Sequence, residues 1–198
     1  MRLFVAVAVP EQVAGELEAA VAPLRSSWPS LRWTGIDAWH LTLAFLGEVN
    51  DAAAAGLADP LRSAAAEHAP LALSLAGAGA FPGADRAHVL WTGVHGERAR
   101  LVDVAKSVAQ AAKNEEAPPL EEGRDFQPHL TLARSRAAVD VRTLIAELAE
   151  YAGTPWTAEE IYLIRSRPDS RPRYETLGSW PLAASPPPAR GRAAPLRT

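Results

Sequence analysis

The chain has 198 residues, of which 48% are hydrophobic and 22% are charged, as in ordinary soluble globular proteins. It contains no cysteine, which excludes disulfides, thiolate metal ligands and cysteine nucleophiles. The formal net charge of −3 provides no overall basic surface, so we do not expect the protein to bind duplex DNA, although a local basic patch can still hold a small anion.

The first third of the chain is predicted to alternate between strands and helices. Its initial apolar run stops at Pro10 and is followed by an acidic helical pattern, so we interpret it as a buried strand and not as a signal peptide. No apolar run is long enough to span a membrane, and we expect a cytoplasmic protein. The elements predicted here are a strand at 3–9, an amphipathic helix at 10–25, a short strand at 31–34, a strand at 39–46 and a helix at 51–67 that Asp51 caps.

The rest of the chain continues this alternation up to a compositionally biased tail. The glycine-rich stretch 77–83 predicts a turn-rich break after a strand at 71–75. Residues 114–125 are acidic and contain proline, which predicts a surface loop. The tail 183–198 is mostly Ala, Pro and Arg and is predicted to be disordered, because it cannot bury enough apolar surface to fold. The other predicted elements are strands at 87–94, 126–134, 156–165 and 174–182 and helices at 97–113 and 141–151.

One tetrapeptide occurs twice in the chain. His40-Leu41-Thr42-Leu43 returns as His129-Leu130-Thr131-Leu132, and two of the five histidines occupy the first positions of the two copies. The copies start at positions 40 and 129, a separation of 89 residues that is too long for one local element and suits corresponding strands of two similar halves.

Strand geometry assigns the residues of the first copy to two faces. Successive side chains on a strand point to opposite faces, so Leu41, Leu43 and Phe45 are predicted to share the core face. His40 and Thr42 then share the opposite face, which a cleft or solvent can occupy.

The second copy follows the same alternation. Leu130 and Leu132 are predicted to point into the core, while His129 and Thr131 point away from it. By strict alternation Arg134 falls on the leucine face, so it can reach a ligand beside the histidine only if the strand ends or bulges first.

The predicted elements define an α+β fold. We expect two lobes related by a pseudo-twofold axis, each an antiparallel sheet with about two helices, around a central cleft that the two motif strands line. Residues 1–182 would form this single bilobal domain, and the tail 183–198 would lie outside it.

A pair of imidazoles suggests acid–base chemistry at phosphorus. The unperturbed pKa of histidine, ~6.5, suits proton transfer near neutral pH. One ring can take the proton of an attacking water while the other gives a proton to the departing oxygen, and the Thr42 and Thr131 hydroxyls can hydrogen-bond the phosphate oxygens. No metal ion is needed, and metal binding by His40 and His129 is disfavoured because no carboxylate lies at the usual ligand spacing.

Several segments resemble one known family. The chain is similar to the two-histidine phosphoesterase superfamily and, within it, to the RNA 2′,3′-cyclic phosphodiesterases that were first described as 2′-5′ RNA ligases. The segments that carry this resemblance are RLFVAV at 2–7, WHLTLAFLGE at 39–48, GAFP at 79–82, VLW at 89–91 and FQPHLTLAR at 126–134.

The resemblance implies hydrolysis of a terminal 2′,3′-cyclic phosphate to a 2′-phosphate without a cofactor. It implies that His40 donates a proton to the leaving 3′ oxygen, that His129 accepts the proton of water, and that Thr42 and Thr131 hold the phosphate. The expected partner is an RNA end with a cyclic phosphate, or a small cyclic nucleotide, and we expect a monomer.

Three further residues are candidates for substrate contact. Arg134 can bind a phosphate, or it can belong to a solvated basic surface. Trp39 can stack on an unpaired base at the cleft, and a packing role explains it equally well. Phe45 can also contact a base, although a core position is the favoured interpretation.

Two other functions fit the same residues. The reverse reaction would join a 2′,3′-cyclic end to a 5′-hydroxyl through a 2′-5′ linkage, without ATP. A non-catalytic module that binds nucleotides or RNA ends would not require a pair of proton-transfer groups.

Overall fold

The computed structural model describes residues 1–114, 126–168 and 170–183. The predicted loop at 114–125, beyond residue 114, and the predicted tail from residue 184 lie outside these ranges. In chain order, the strands of the described residues are β1 (Arg2–Ala8), β2 (Arg32–Trp33), β3 (His40–Glu48), β4 (Leu71–Phe81), β5 (Ala87–Gly96), β6 (His129–Val139), β7 (Trp156–Ala158), β8 (Glu160–Ser166) and β9 (Tyr174–Pro181). The α-helices are α1 (Glu11–Val21), α2 (Asp51–Gly56), α3 (Ala58–Ala66), α4 (Arg98–Asn114) and α5 (Arg142–Glu147).

The strands form two antiparallel sheets, which confirms the predicted α+β class. The first sheet has the order β3-β1-β8-β9, and the second has the order β2-β6-β5-β4-β7. The predicted N-terminal strand is confirmed as β1, which lies between β3 and β8. Helices α3 and α4 pack on each other and contact the first sheet through β9 and β3, whereas α5 contacts β4 of the second sheet. No helix in the described part of the chain is long and apolar enough to cross a membrane.

Alternation along the strands separates the core from the cleft. Leu3, Val5 and Val7 of β1 are buried in the hydrophobic core, and Leu130 and Leu132 of β6 are fully buried in the same way. Apolar burial of this kind is the main favourable contribution to folding. The side chains between these residues lie on the opposite face, where Phe4 stacks on the ring of His40.

The predicted break at 77–83 is wrong, because β4 continues from Leu71 to Phe81. Its pairing with β5 shifts register between Ala76 and Gly79, and Gly77 adopts a positive φ of 60° within that shift. A Cβ on Gly79 would lie 2.2 Å from the ring of Trp91. The glycines therefore permit a bulge and the close approach of an aromatic ring, and they do not end the strand.

The single helix predicted at 51–67 is two helices. Its cap is Asn50 and not Asp51, since the Asn50 side chain accepts a hydrogen bond from the Ala53 N–H at 2.8 Å. Pro60 lies in the first turn of α3 and has no N–H to donate to the carbonyl of Gly56, so the hydrogen-bond ladder is interrupted where α2 ends.

The strand predicted at 156–165 is also divided in two. β7 pairs with β4 in the second sheet, and β8 pairs with β1 in the first. Glu159 therefore marks the point where the chain passes from one sheet to the other. The periodicity of the sequence does not show that crossing, because both pieces have strand-like composition.

Candidate active site

The two motif histidines open two strands that contact each other. His40 is the first residue of β3, at the edge of the first sheet, and His129 is the first residue of β6, inside the second sheet. β3 and β6 are in contact, so the two motifs meet in the cleft between the sheets. Both imidazoles are half-buried.

The ring of His129 is held in one tautomer. Its Nδ1 lies 2.7 Å from the carbonyl oxygen of Gln127. A carbonyl can only accept a hydrogen bond, so Nδ1 carries the hydrogen and the neutral ring keeps its lone pair on Nε2. Phe81 packs edge-on against the ring at 5.0 Å between centroids, and Trp91 lies at 6.2 Å. The Gln127 carbonyl therefore fixes the tautomer of the neutral His129 ring.

The ring of His40 is also held by a hydrogen bond to the backbone two residues earlier. Its ring forms a hydrogen bond with the backbone of Ala38, two residues earlier, just as His129 bonds to Gln127. Phe4 stacks on the His40 ring at 4.6 Å between centroids, and Tyr174 meets it edge-on at 5.3 Å.

These neighbours make the charged form of His40 costly. Burial among aromatic rings, together with the positive charge of Arg134, lowers the pKa of His40 to about 4, against the opposing effect of the Ala38 hydrogen bond. The imidazole is consequently neutral at pH 7 in the unliganded protein.

A β-bulge moves Phe45 out of the core. In the pairing of β1 with β3, Ala44 lies opposite Val5 and Thr42 lies opposite Ala6, which leaves Leu43 as the extra residue. The core position predicted for Phe45 is wrong for this reason. It shares the cleft face with His40 and Thr42, and its ring lies 6.5 Å from that of Phe4.

The second motif carries the same irregularity. Ala133 lies opposite Leu90 and Thr131 lies opposite Trp91, so Leu132 is the extra residue. Leu132 and Ala133 are both fully buried, and Arg134 turns outward onto the face of His129 and Thr131. Strict alternation would place Arg134 on the leucine face. The bulge before Arg134 moves it to the face of His129 instead.

Trp39 packs inside the protein and does not border the cleft. Its side chain is 7% exposed, and its indole N–H donates to the Thr34 hydroxyl at 2.9 Å. Of the two interpretations of Trp39, this geometry favours packing over base stacking.

Thr34 links the two motifs, and no sequence pattern marks it. Its hydroxyl lies 2.8 Å from the carbonyl oxygen of Thr131 and 2.9 Å from that of Leu132, and its own N–H donates to the Leu132 carbonyl at 2.9 Å. Thr34 thus binds the carbonyls at the bulge of β6 while it accepts the hydrogen bond from Trp39, the residue before His40.

The sequence patterns also did not predict the aromatic neighbours of the two histidines. Phe4 alternates with core residues of β1, so its cleft orientation could have been read from the sequence. Tyr174 and Trp91 come from other strands, and only the sheet order brings them to the site.

A cavity of about 350 Å³ lies beside His129. Phe81, Trp91 and Pro128 give it an apolar wall, and His95 and Arg98 add polar groups. Its size and lining suit a small organic ligand. In the described part of the chain, no group of three or more His, Asp or Glu side chains is arranged to hold a metal ion.

Two antiparallel sheets that each supply one His-x-Thr strand to a shared cleft define a two-histidine phosphoesterase fold. A model of the 2′-5′ RNA ligase superfamily matches residues 9–170. The chain belongs to this superfamily, and the predicted resemblance is confirmed.

Individual proteins agree with this family assignment. An RNA 2′,3′-cyclic phosphodiesterase of Geobacillus stearothermophilus is 30% identical over 184 residues, which are 92% of this chain but only 58% of that protein. One from Aeropyrum pernix is 32% identical over 151 residues, 74% of this chain and 84% of that protein. A solved structure from Thermus thermophilus superposes with a TM-score of 0.71 at 26% identity, covering 92% of this chain and 98% of the other.

Proposed function

We propose that the protein hydrolyses a 2′,3′-cyclic phosphate at the end of RNA to a 2′-phosphate. The observation that carries this proposal is the matched pair of imidazoles, each held by the backbone two residues earlier and each followed by a threonine on the same face. Two relatives named RNA 2′,3′-cyclic phosphodiesterase support it.

In this mechanism His129 is the general base. Its Nδ1–H is bound to the Gln127 carbonyl, so the lone pair on Nε2 takes a proton from a water molecule in the cleft. The water oxygen attacks phosphorus as the new P–O bond forms and the bond from phosphorus to the 3′ oxygen breaks.

His40 is the general acid and gives its proton to the departing 3′ oxygen. In the unliganded protein this ring is neutral at pH 7, so it must take up a proton from solvent when the substrate binds. An anionic phosphate beside the ring favours the imidazolium and offsets the repulsion from Arg134. Each proton transfer is expected to contribute about 10²–10⁴-fold to the rate.

Thr42, Thr131 and Arg134 would hold the phosphate. The two threonines occupy equivalent positions on the cleft face, and their hydroxyls can donate to non-bridging oxygens. The guanidinium of Arg134 lies on the same face and adds a charge-assisted contact, which stabilises the negative charge that develops at phosphorus.

The reaction is tested with a short RNA ending in a 2′,3′-cyclic phosphate, incubated with EDTA and scored for 2′- against 3′-phosphate. We expect a 2′-phosphate, with the rate reduced by at least a hundredfold in His40→Gln and in His129→Gln. His68→Gln is the matched control, because His68 bonds Ser107 and lies outside the cleft. Unchanged rates in both active-site variants would overturn the proposal.

The roles of the two histidines are separated by pH profiles of kcat. A general acid must be protonated, so His40→Gln should lose the fall of activity at high pH. A general base must be deprotonated, so His129→Gln should lose the fall at low pH. The opposite pattern would show that the two roles are exchanged. Excess 5′-hydroxyl RNA in the same assay would reveal joining as a 2′-5′-linked product.

A further inference from the structure

A second cavity, of about 610 Å³, opens on β2, β5 and β6 beside the reaction centre. We call it the basic groove. Its cationic side chains are Arg32, Arg134 and Arg136. No carboxylate occurs among the described residues that line it, which are Ser30, Arg32, His88, Val89, Arg134, Ser135, Arg136, Ala137 and Val139.

The basic groove begins at the catalytic cleft. Arg32 on β2 lies opposite Arg134 on β6, and Arg134 lies opposite Val89 on β5. Directly opposed residues of antiparallel strands share a face, so Arg32 lies on the cleft face beside Arg134. The charge of Arg134 also acts on His40, so this end of the groove lies near the first motif.

The local charge contrasts with that of the whole chain. The protein carries a net charge of −3, yet this one groove concentrates three arginines. Arg32 and Arg136 are exposed, and neither forms an ion pair among the residues that the structure describes. By contrast, Arg142 and Arg167 are paired with acidic side chains. The positive charge that Arg32 and Arg136 bring to the groove attracts a polyanion.

The two cavities differ in chemistry as well as in place. The cavity beside His129 has aromatic walls that suit a base or nucleoside. The basic groove has no aromatic ring other than the His88 imidazole among its described lining residues, so it suits a backbone of phosphates and not the faces of bases.

We propose that the basic groove binds the sugar–phosphate backbone of the RNA on the 5′ side of the reacting end, through Arg32 and Arg136. This inference rests on the proposed function, since the reacting end must lie between the two histidines. It implies that RNA is used better than a free cyclic nucleotide, and that the contribution of the groove is insensitive to base sequence and weakened by salt.

The test compares two substrates with the same terminal nucleotide, a 2′,3′-cyclic mononucleotide and an RNA hexamer with a 2′,3′-cyclic end. We expect Arg32→Gln and Arg136→Gln each to reduce the ratio of kcat/KM for the hexamer to that for the mononucleotide by about tenfold. Arg62→Gln on α3 removes the same charge outside the groove and should preserve the ratio. An unchanged ratio in both groove variants would overturn the inference.

A binding measurement keeps the inference separate from the proposed reaction. Fluorescence anisotropy with a labelled hexamer that ends in a 2′-phosphate requires no turnover. The slope of log K against log salt should decrease in magnitude by about 0.7 for each groove arginine removed. Equal slopes in the unaltered protein and the groove variants would contradict the binding of RNA backbone by the groove. Failure of the unaltered protein to hydrolyse either substrate would contradict only the proposed function.

Discussion

The hydroxyl of Thr34 lies 2.8 Å from the main-chain carbonyl of Thr131, although 97 residues separate them in the chain. The same hydroxyl accepts the indole N–H of Trp39. Since Trp39 precedes His40 and Thr131 belongs to the second motif, this one side chain connects the two halves of the site.

Loss of the Thr34 hydroxyl should impair catalysis. Thr34→Val keeps the shape of the side chain but leaves the Trp39 N–H and the Leu132 carbonyl with fewer partners, which should destabilise the protein by about 1–3 kcal/mol. It should also misalign the motifs and lower kcat about tenfold or more, with a smaller change in KM. Steady-state kinetics and urea unfolding measure the two effects.

The serine variant is the control for that prediction. Thr34→Ser retains the hydroxyl and should keep kcat near that of the unaltered protein. Thr143→Val, at an exposed position of α5, should change neither kcat nor stability. A loss of stability in Thr34→Val with no change in kcat would assign Thr34 a purely structural role.

The buried His40 ring should make the free energy of unfolding depend on pH. Its pKa is about 4 in the folded protein and 6.5 in the unfolded reference, so between these values the unfolded chain binds a proton that the folded chain does not. Stability contributed by the neutral ring is therefore complete above pH 6.5 and is lost as the pH falls to 4, by about 3 kcal/mol.

Urea unfolding at about pH 7 and about pH 4.5 checks this dependence. The loss of stability between the two pH values should be smaller in His40→Gln than in the unaltered protein, because glutamine does not titrate. His68→Gln should preserve the full loss. Identical losses in all three proteins would show that His40 does not carry the effect.

Binding of the product should bring a proton to the site. A nucleoside 2′-phosphate is largely a dianion at about pH 7.5 and should favour the protonated form of His40. Isothermal titration calorimetry in two buffers of different ionisation enthalpy counts the protons taken up. We expect uptake by the unaltered protein and markedly less by His40→Gln, and equal uptake by both would contradict the assignment of the proton to His40.

Aromatic packing should set the pKa of His40. Tyr174→Ala opens the edge of the ring to water and should raise this pKa toward 6.5, because burial is the largest cause of its depression. Tyr174→Phe retains the ring and should leave the pKa low. NMR titration of the imidazole proton distinguishes them, and an equal pKa in both variants would exclude Tyr174 as a cause.

A methyl group at Gly79 should disturb the second half-site. Its Cβ would lie 2.2 Å from the Trp91 ring, which neighbours His129, so Gly79→Ala should cost about 1–3 kcal/mol of stability and lower kcat/KM. Gly15→Ala meets no atom within 4 Å in α1 and should stabilise the protein by about 0.5–1 kcal/mol. The midpoint temperature of thermal unfolding should therefore fall in Gly79→Ala and rise in Gly15→Ala.

The sequence predicted the motif strands because their histidines and threonines alternate with leucines. It did not predict the bulges, since strict alternation places Phe45 and Arg134 with the leucines. The available signal was that Leu43 and Leu132 are both followed by alanine, and both alanines are buried. Two adjacent buried positions at the same point of both copies are what a bulge produces in a strand that otherwise alternates.

Other parts of the site depended on contacts that no local pattern encodes. Thr34 lies in a short connection after β2, and its partners are 97 and 98 residues away. The glycines of β4 were predicted to end a strand, because local propensity does not reveal the Trp91 ring that needs their space. The order of the strands in the sheets, and not local propensity, determines the contacts of Thr34 and the continuation of β4 through its glycines.

The bulges also make the two sides of an otherwise symmetric site chemically different. One motif turns the ring of Phe45 toward the cleft, with Arg2 above it at 4.9 Å, and the other turns the guanidinium of Arg134 toward the same space. Two identical imidazoles alone would accept a cyclic phosphate in either of two orientations. The two sides of the site therefore differ chemically, and this difference would favour one orientation of a bound cyclic phosphate over the other.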